Sequence, residues 1–242
     1  MKSPIVYPIK LATVKDVDYS HNVLNTRFGE KIDAAFLSYL IVVDKFLMIV
    51  DTGHTLLSFT KGDNMNIIGD AKEAYESKFQ ELRLEFNDVT HIILTHMHWD
   101  HMQNNHLFPN ARIYVQRKEV EYAAAPLYPL YYEKADVAKL IGEDGDRVVF
   151  LDGDTELAPG VKTVLVGGHT PGSQIVYVNT SDGMAIITGD ICNVYENLEV
   201  RSVKEMDVLG WVRAINKIKK DGDIILPMHE ERVIKDYPQV GK

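Results

Sequence analysis

Residues 95–101 read Thr95-His96-Met97-His98-Trp99-Asp100-His101, which places four side chains able to bind a metal, His96, His98, Asp100 and His101, within six positions. A lone histidine in a polar loop needs no functional explanation. Four such donors in so short a span do, because imidazole and carboxylate are the ligand types that suit zinc and other first-row divalent ions. The preceding segment, Val89-Thr90-His91-Ile92-Ile93-Leu94-Thr95, is β-branched and apolar and is bounded by Asn87-Asp88, so it reads as a buried strand. The ligand cluster therefore sits at a strand's C-terminal end. Successive strand residues face opposite sides, so His96 and His98 share one side if the extended conformation persists, and a turn beyond can bring Asp100 and His101 alongside. One strand end can in this way serve two ions.

Further along, other potential ligands follow apolar, strand-like runs: Gly168-His169-Thr170-Pro171-Gly172, Thr188-Gly189-Asp190 and Leu226-Pro227-Met228-His229. Val50-Asp51-Thr52-Gly53 closes an earlier run. Together with residues 96–101, this ordered set resembles the HxHxDH signature and its companion motifs in the metallo-β-lactamase superfamily, and it spans most of the chain. The resemblance implies a four-layer αββα sandwich with the metals at one edge between two sheets. It implies that His96, His98 and His169 hold one divalent ion and that Asp100, His101 and His229 hold another, with Asp190 bridging. Zinc is the first expectation, with manganese, cobalt or iron equally accepted by His and Asp. Two such ions would generate a hydroxide between them and polarise a carbonyl. Asp51 is expected to orient the ligand cluster from behind. Thr170-Pro171-Gly172 is expected to form a type II turn that aims His169.

Composition agrees with an ordinary globular chain: 242 residues, 45% hydrophobic and 25% charged, with no linker-like stretch, so 1–242 is expected to form a single domain. No apolar run approaches a membrane span, and the first residues lack the pattern of a secretory signal, so a cytoplasmic location is expected. The single Cys192 excludes an internal disulfide, and its expected role is a small core residue. With 26 Lys plus Arg against 35 Asp plus Glu, the net charge of −9 argues against nucleic acid as a partner. A homodimer is left open.

Strand-like and helical runs alternate, which indicates an α/β layered class. Strands are expected around 5–14, 36–43, 46–50, 89–95, 111–115, 148–151, 161–166, 174–178, 185–188 and 223–226, with a hairpin at Asp44-Lys45. Helices are expected over 70–86, 118–125 and 206–219, with Leu209, Trp211 and Val212 in the core.

The runs from Gly189 to Leu198 and from Pro227 to Val233 resemble the N-acyl homoserine lactonase branch. Hydrolysis of an N-acyl homoserine lactone or another small lactone is therefore the expected reaction, with Asp100 and Asp190 at its centre. In that branch a tyrosine shortly after the bridging aspartate donates to the substrate carbonyl, which makes Tyr195 the expected donor here. Glu230 departs from the aspartate usual after the last histidine. His54 and the tyrosines of the aromatic segment 121–132, Tyr128, Tyr131 and Tyr132, are expected to line the substrate pocket. No catalytic role is expected for His21, His91 or His106. A glyoxalase II-like thioesterase would use the same ligands but adds a C-terminal basic helical region, whereas 13 residues follow His229. A di-iron redox protein or a non-enzymatic binding protein on the same fold is the alternative of a different class.

Overall fold

The computed structural model describes residues 2–55, 65–129 and 131–242. Leu130, in the aromatic segment, lies outside them. All elements and features below are those of the described residues.

Period-two alternation along the strands sorts the apolar side chains onto opposite faces. β1 (Ile5–Asp18) and β2 (Lys31–Val43) pair antiparallel, and β2 returns through Asp44-Lys45 into β3 (Phe46–Val50). Val43 pairs with Phe46, and Asp44 adopts φ +48°, a left-handed value that short polar residues tolerate. β4 (Asn66–Ile68) adds to the outer edge of β1. On the other side, β5 (His91–Ile93), β6 (Arg112–Gln116) and β7 (Val148–Leu151) continue in parallel from β3. This sheet has the order β4-β1-β2-β3-β5-β6-β7. The second sheet comprises β8 (Thr155–Ala158), β9 (Val161–Leu165), β10 (Gln174–Thr180), β11 (Gly183–Ile187) and β12 (Ile224–Leu226), in the order β12-β11-β10-β9-β8.

Three apolar clusters glue four layers. Between the sheets, Leu37, Tyr39, Ile41, Met48 and Val50 meet Val176, Val178, Ala185 and Ile187. The intervening residues point the other way: Leu40 and Ile49 pack under α1 (Ala71–Leu82), α3 (Arg117–Ala124) and α4 (Lys134–Ile141), through Tyr75, Phe79, Val120 and Leu140. Ile175 and Ile186 on the far face of the second sheet pack beneath α5 (Val208–Asp221), against Trp211, Ala214, Ile215 and Ile218. The order is helices, sheet, sheet, helix, the αββα sandwich that the motifs implied. Burial of such side chains contributes roughly 1.5–3 kcal/mol each, which makes the alternation the main determinant of the layering. Two short helices, α2 (Trp99–Met102) and α6 (Arg232–Asp236), follow ligand-bearing strand ends.

Several boundaries shift for identifiable reasons. α1 stops at Leu82 rather than reaching residue 86, because Arg83 takes a left-handed φ of +57° and its N–H caps the last turn. The apolar run 89–95 is regular strand only at 91–93, since the residues beyond turn toward the site. Leu209 and Val212 are not core: they are 68% and 40% exposed, because the i, i+3, i+4, i+7 stripe of α5 runs through Trp211, Ala214, Ile215 and Ile218. α4, β4 and β8 were not among the expected elements.

Candidate metal centre

Five chain segments deliver the expected ligands to one edge, between the ends of the two sheets. The segment after β5 carries His96 and His98, and α2 follows at once with Asp100 and His101. The loop after β9 brings His169, a short turn after β11 brings Asp190, and the residue third after β12 is His229. Three overlapping groups have ligand atoms within 4.8 Å of one another: His96, His98 and His169; His96, His101 and Asp190; Asp100, His101 and His229. Asp190 lies between the outer two. Its Oδ1 is 3.2 Å from His101 Nε2 and 3.0 Å from His229 Nε2, and its Oδ2 is 3.6 Å from His169 Nε2.

The surrounding hydrogen bonds decide which ring nitrogens are available. Asp51, 1% exposed, accepts from His101 Nδ1 at 2.7 Å, from the Thr95 hydroxyl at 2.6 Å and from the Thr95 amide at 2.7 Å. Because the Thr95 hydroxyl donates to Asp51, it can only accept from His96 Nδ1, 3.1 Å away. His229 Nδ1 donates to the Ala35 carbonyl at 3.0 Å. In each case Nε2 is left for the site; that of His96 is buried without a hydrogen-bond partner among the described residues, and that of His101 faces Asp190. His98 Nδ1 and His169 Nε2 face each other at 3.1 Å. Buried, unpartnered imidazole nitrogens converging in this way fit divalent cations of the borderline type.

Charge divides the site. Burial pushes the imidazoles of His96 and His98 well below their ordinary range and that of His169 to about 4, so all three are neutral with lone pairs to give. Burial lowers His101 as well, but the carboxylates of Asp100, Asp190 and Asp51 outweigh it and hold its proton well above the ordinary range. That half of the site demands positive charge, which a cation supplies as well as a proton does.

Glu119 holds the ligand loops in place, a role with little trace in its local sequence. Fully buried in α3, its carboxylate accepts from the Met97 amide at 2.9 Å, the Gly172 amide at 3.0 Å, the Thr170 hydroxyl at 2.7 Å and the Tyr132 hydroxyl at 2.9 Å. The only clue was its position four residues before Ala123, on the apolar face of its helix. Thr170-Pro171-Gly172 does turn, with the Ser173 amide 3.3 Å from the Thr170 carbonyl, but Gly172 lacks the positive φ of a type II turn. Glycine is needed there for another reason: a Cβ would stand 2.3 Å from the Glu119 amide nitrogen.

A cavity of about 690 Å³ opens onto His98, Asp100, Asp190 and His229. Tyr128 and Tyr131 line it, as does His21, for which no role was expected. Tyr132 stands behind the wall, buried, its ring 4.7 Å from that of His98. His54 is 2% exposed and packs against Phe36 and Trp99, with ring centroids 5.0 and 6.0 Å away, instead of lining the cavity. Tyr195 is likewise elsewhere: its hydroxyl donates to the Ile225 carbonyl at 3.3 Å, and its ring lies under the Arg232 guanidinium. Tyr195 packs against the core between the sheets. Cys192 is a buried core residue.

Comparison with known proteins agrees with this architecture. An N-acyl homoserine lactonase of a Bacillus species is 26% identical over 243 residues, covering 90% of this chain and 92% of the relative. An N-acyl homoserine lactone hydrolase with the product N-hexanoyl-L-homoserine bound at its catalytic metal center superposes with a TM-score of 0.81 at 24% identity, covering 99% of this chain and 100% of that one. AidC, a dizinc quorum-quenching lactonase, superposes with a TM-score of 0.72 at 17% identity, covering 96% and 89%. The family model of the metallo-beta-lactamase superfamily matches residues 37–229, and the chain belongs to that superfamily.

Proposed function

We propose that this protein is a dinuclear metal-dependent hydrolase that opens N-acyl homoserine lactones or a closely related small lactone. The observation that carries the reading is the convergence of His96, His98, His169, Asp190, Asp100, His101 and His229 at the floor of one cavity. The lactonases among its relatives supply the substrate class. Zinc is the first metal to test, and the two ions would supply Lewis acidity toward a carbonyl and an acidified water.

The chain's own residues account for the rest. His96, His98 and His169 would hold one cation, Asp100, His101 and His229 the other, and Asp190 has one oxygen toward each set. Asp100 is the ligand carboxylate whose side chain, 13% exposed, opens most to the cavity. It is placed to take a proton from water and return it to the departing ring oxygen. Phe36, Trp99 and Tyr131 offer an apolar wall for an acyl chain. Action on such a signal inside the cell would amount to quorum quenching in the cytoplasm.

The test is an activity panel of lactones, thioesters, β-lactams and phosphodiesters on metal-replete protein, with elemental analysis of the same sample. Lactone turnover with two equivalents of metal supports the proposal. A preference for thioesters or phosphodiesters would replace the substrate, and absence of bound metal would remove the mechanism. Asp190→Asn should lose both metal and turnover, whereas His106→Gln, remote from the cavity, should keep both.

A further inference from the structure

With Tyr195 packed into the core, the side-chain donor expected from it is not on the cavity wall. Lys204 is a cation on the wall of the cavity onto which His98, Asp100, Asp190 and His229 open. Other lysines on this wall are neutralised: Lys15 is ion-paired with Asp33, and Lys31 lies 3.5 Å from Asp18. Among the described residues no carboxylate pairs with Lys204. The adjacent Glu205 also lines the cavity and feels the Lys204 charge, but its side chain is 1% exposed and its ion pair, at 3.9 Å, is with Arg201.

The backbone carrying Lys204 is fixed to the site itself. Its amide donates to Ser202 Oγ, which also accepts from the Asn193 side chain, three residues after Asp190. Two residues further, the Met206 amide donates to the Gly168 carbonyl at 3.0 Å, and the Asp207 amide does the same at 2.9 Å, so this segment is tied to the loop that presents His169. A half-buried ammonium held by its backbone beside a hydrolytic centre is pre-organised for developing negative charge.

We propose that Lys204 is a catalytic residue whose ammonium takes the charge that develops on the acyl carbonyl oxygen, and that the same contact holds the carboxylate product. The proposal rests on the hydrolase reading above. Water adds to the acyl carbon as the carbonyl π pair moves onto oxygen, where Lys204 meets it. The carbon to ring-oxygen bond then breaks, the ring oxygen leaves with one proton, and a hydroxy-carboxylate and a second proton result.

The test uses full-length, metal-loaded protein and three variants: Lys204→Met, Lys204→Arg and, as a control for lost surface charge, Lys162→Met. Turnover of N-hexanoyl homoserine lactone and binding of the ring-opened N-hexanoyl homoserine are measured separately, with metal content and Tm for each variant. Lys204→Met should lower kcat by about tenfold or more with KM nearly unchanged, and should weaken binding of the carboxylate by about tenfold. Lys204→Arg should recover most of both, and Lys162→Met should change neither. Carboxylate binding by Lys204→Met at the wild-type level, or equal losses in Lys204→Met and Lys204→Arg, overturns the proposal. If the wild-type protein opens no lactone yet binds the carboxylate in a Lys204-dependent way, the lactonase reading falls and the anion-binding role of Lys204 stands.

Discussion

The Asp51 carboxylate and the His101 imidazole are buried together, Oδ2 to Nδ1 at 2.7 Å, and this single contact decides which nitrogen His101 presents to the site. Asp51 sits at φ +57°, at the bend where the chain leaves β3, so its side chain faces the next strand end instead of solvent. Asp51→Ala should therefore leave the fold in place but lower metal affinity by about 10–100-fold. Competition with a graded chelator measures this, and wild-type affinity in the variant would deny Asp51 its orienting role.

Glu119 gathers four donors on two oxygens, so replacing one oxygen with an amide sets donor against donor. Glu119→Gln should destabilise the protein by about 1–3 kcal/mol, seen as a lower denaturant midpoint. Metal retention should weaken in the same variant, because both the Met97 and the Thr170 segments lose their anchor. A variant with unchanged midpoint and unchanged metal content would show that the carboxylate merely occupies space.

Tyr195→Phe should leave kcat and KM for lactones within about twofold of wild type and cost no more than about 1 kcal/mol, the loss of one hydrogen bond to the Ile225 carbonyl. A large fall in kcat with metal retained would instead place the phenol at the reaction, against its position in the fold.

The buried histidines make metal-free protein sensitive to acid. His96, His98 and His169 have folded pKa values below the unfolded value near 6.5, that of His169 at about 4. As pH falls below 6.5 the unfolded chain takes up protons that the folded chain refuses, so stability should drop across the interval from about 6.5 to 4. His101, shifted upward, is protonated in both states below about 6.5 and adds no slope there; its contribution is lost only as pH rises above that value. Thermal melts of chelator-treated protein across that range would show the decline, and a flat profile would contradict it. Excess zinc should deepen the dependence, since it binds only the deprotonated ligands.

Much of the centre was legible because its ligands are close in sequence or end apolar runs. Residues 96–101 lie on one strand end and the turn after it, and His169, Asp190 and His229 each follow a strand whose composition gave it away. Local spacing could also place Tyr128 and Tyr131 near the site. It could not foresee that the Tyr195 hydroxyl bonds to the Ile225 carbonyl, 30 residues away, or that the rings of Phe36 and Trp99 pack against His54. Leu209 and Val212 were misplaced by an error of phase, which a helix with an apolar residue on each side of its stripe invites.

The sequence by itself determined the donor cluster at residues 96–101, the strand ends and the α/β layering, since each follows from chemistry or periodicity within a few residues, while the wider set of candidate ligands came from the resemblance of its ordered motifs. The tertiary structure alone decided that Glu119 braces the His96–His98 and His169 loops, that Asp51 and Ala35 select the nitrogens of His101 and His229, and that Lys204 faces the cavity while Tyr195 does not. Those relationships join residues 22 to 194 positions apart. Only packing of the two sheets brings such residues within hydrogen-bonding reach, and no local pattern encodes that approach.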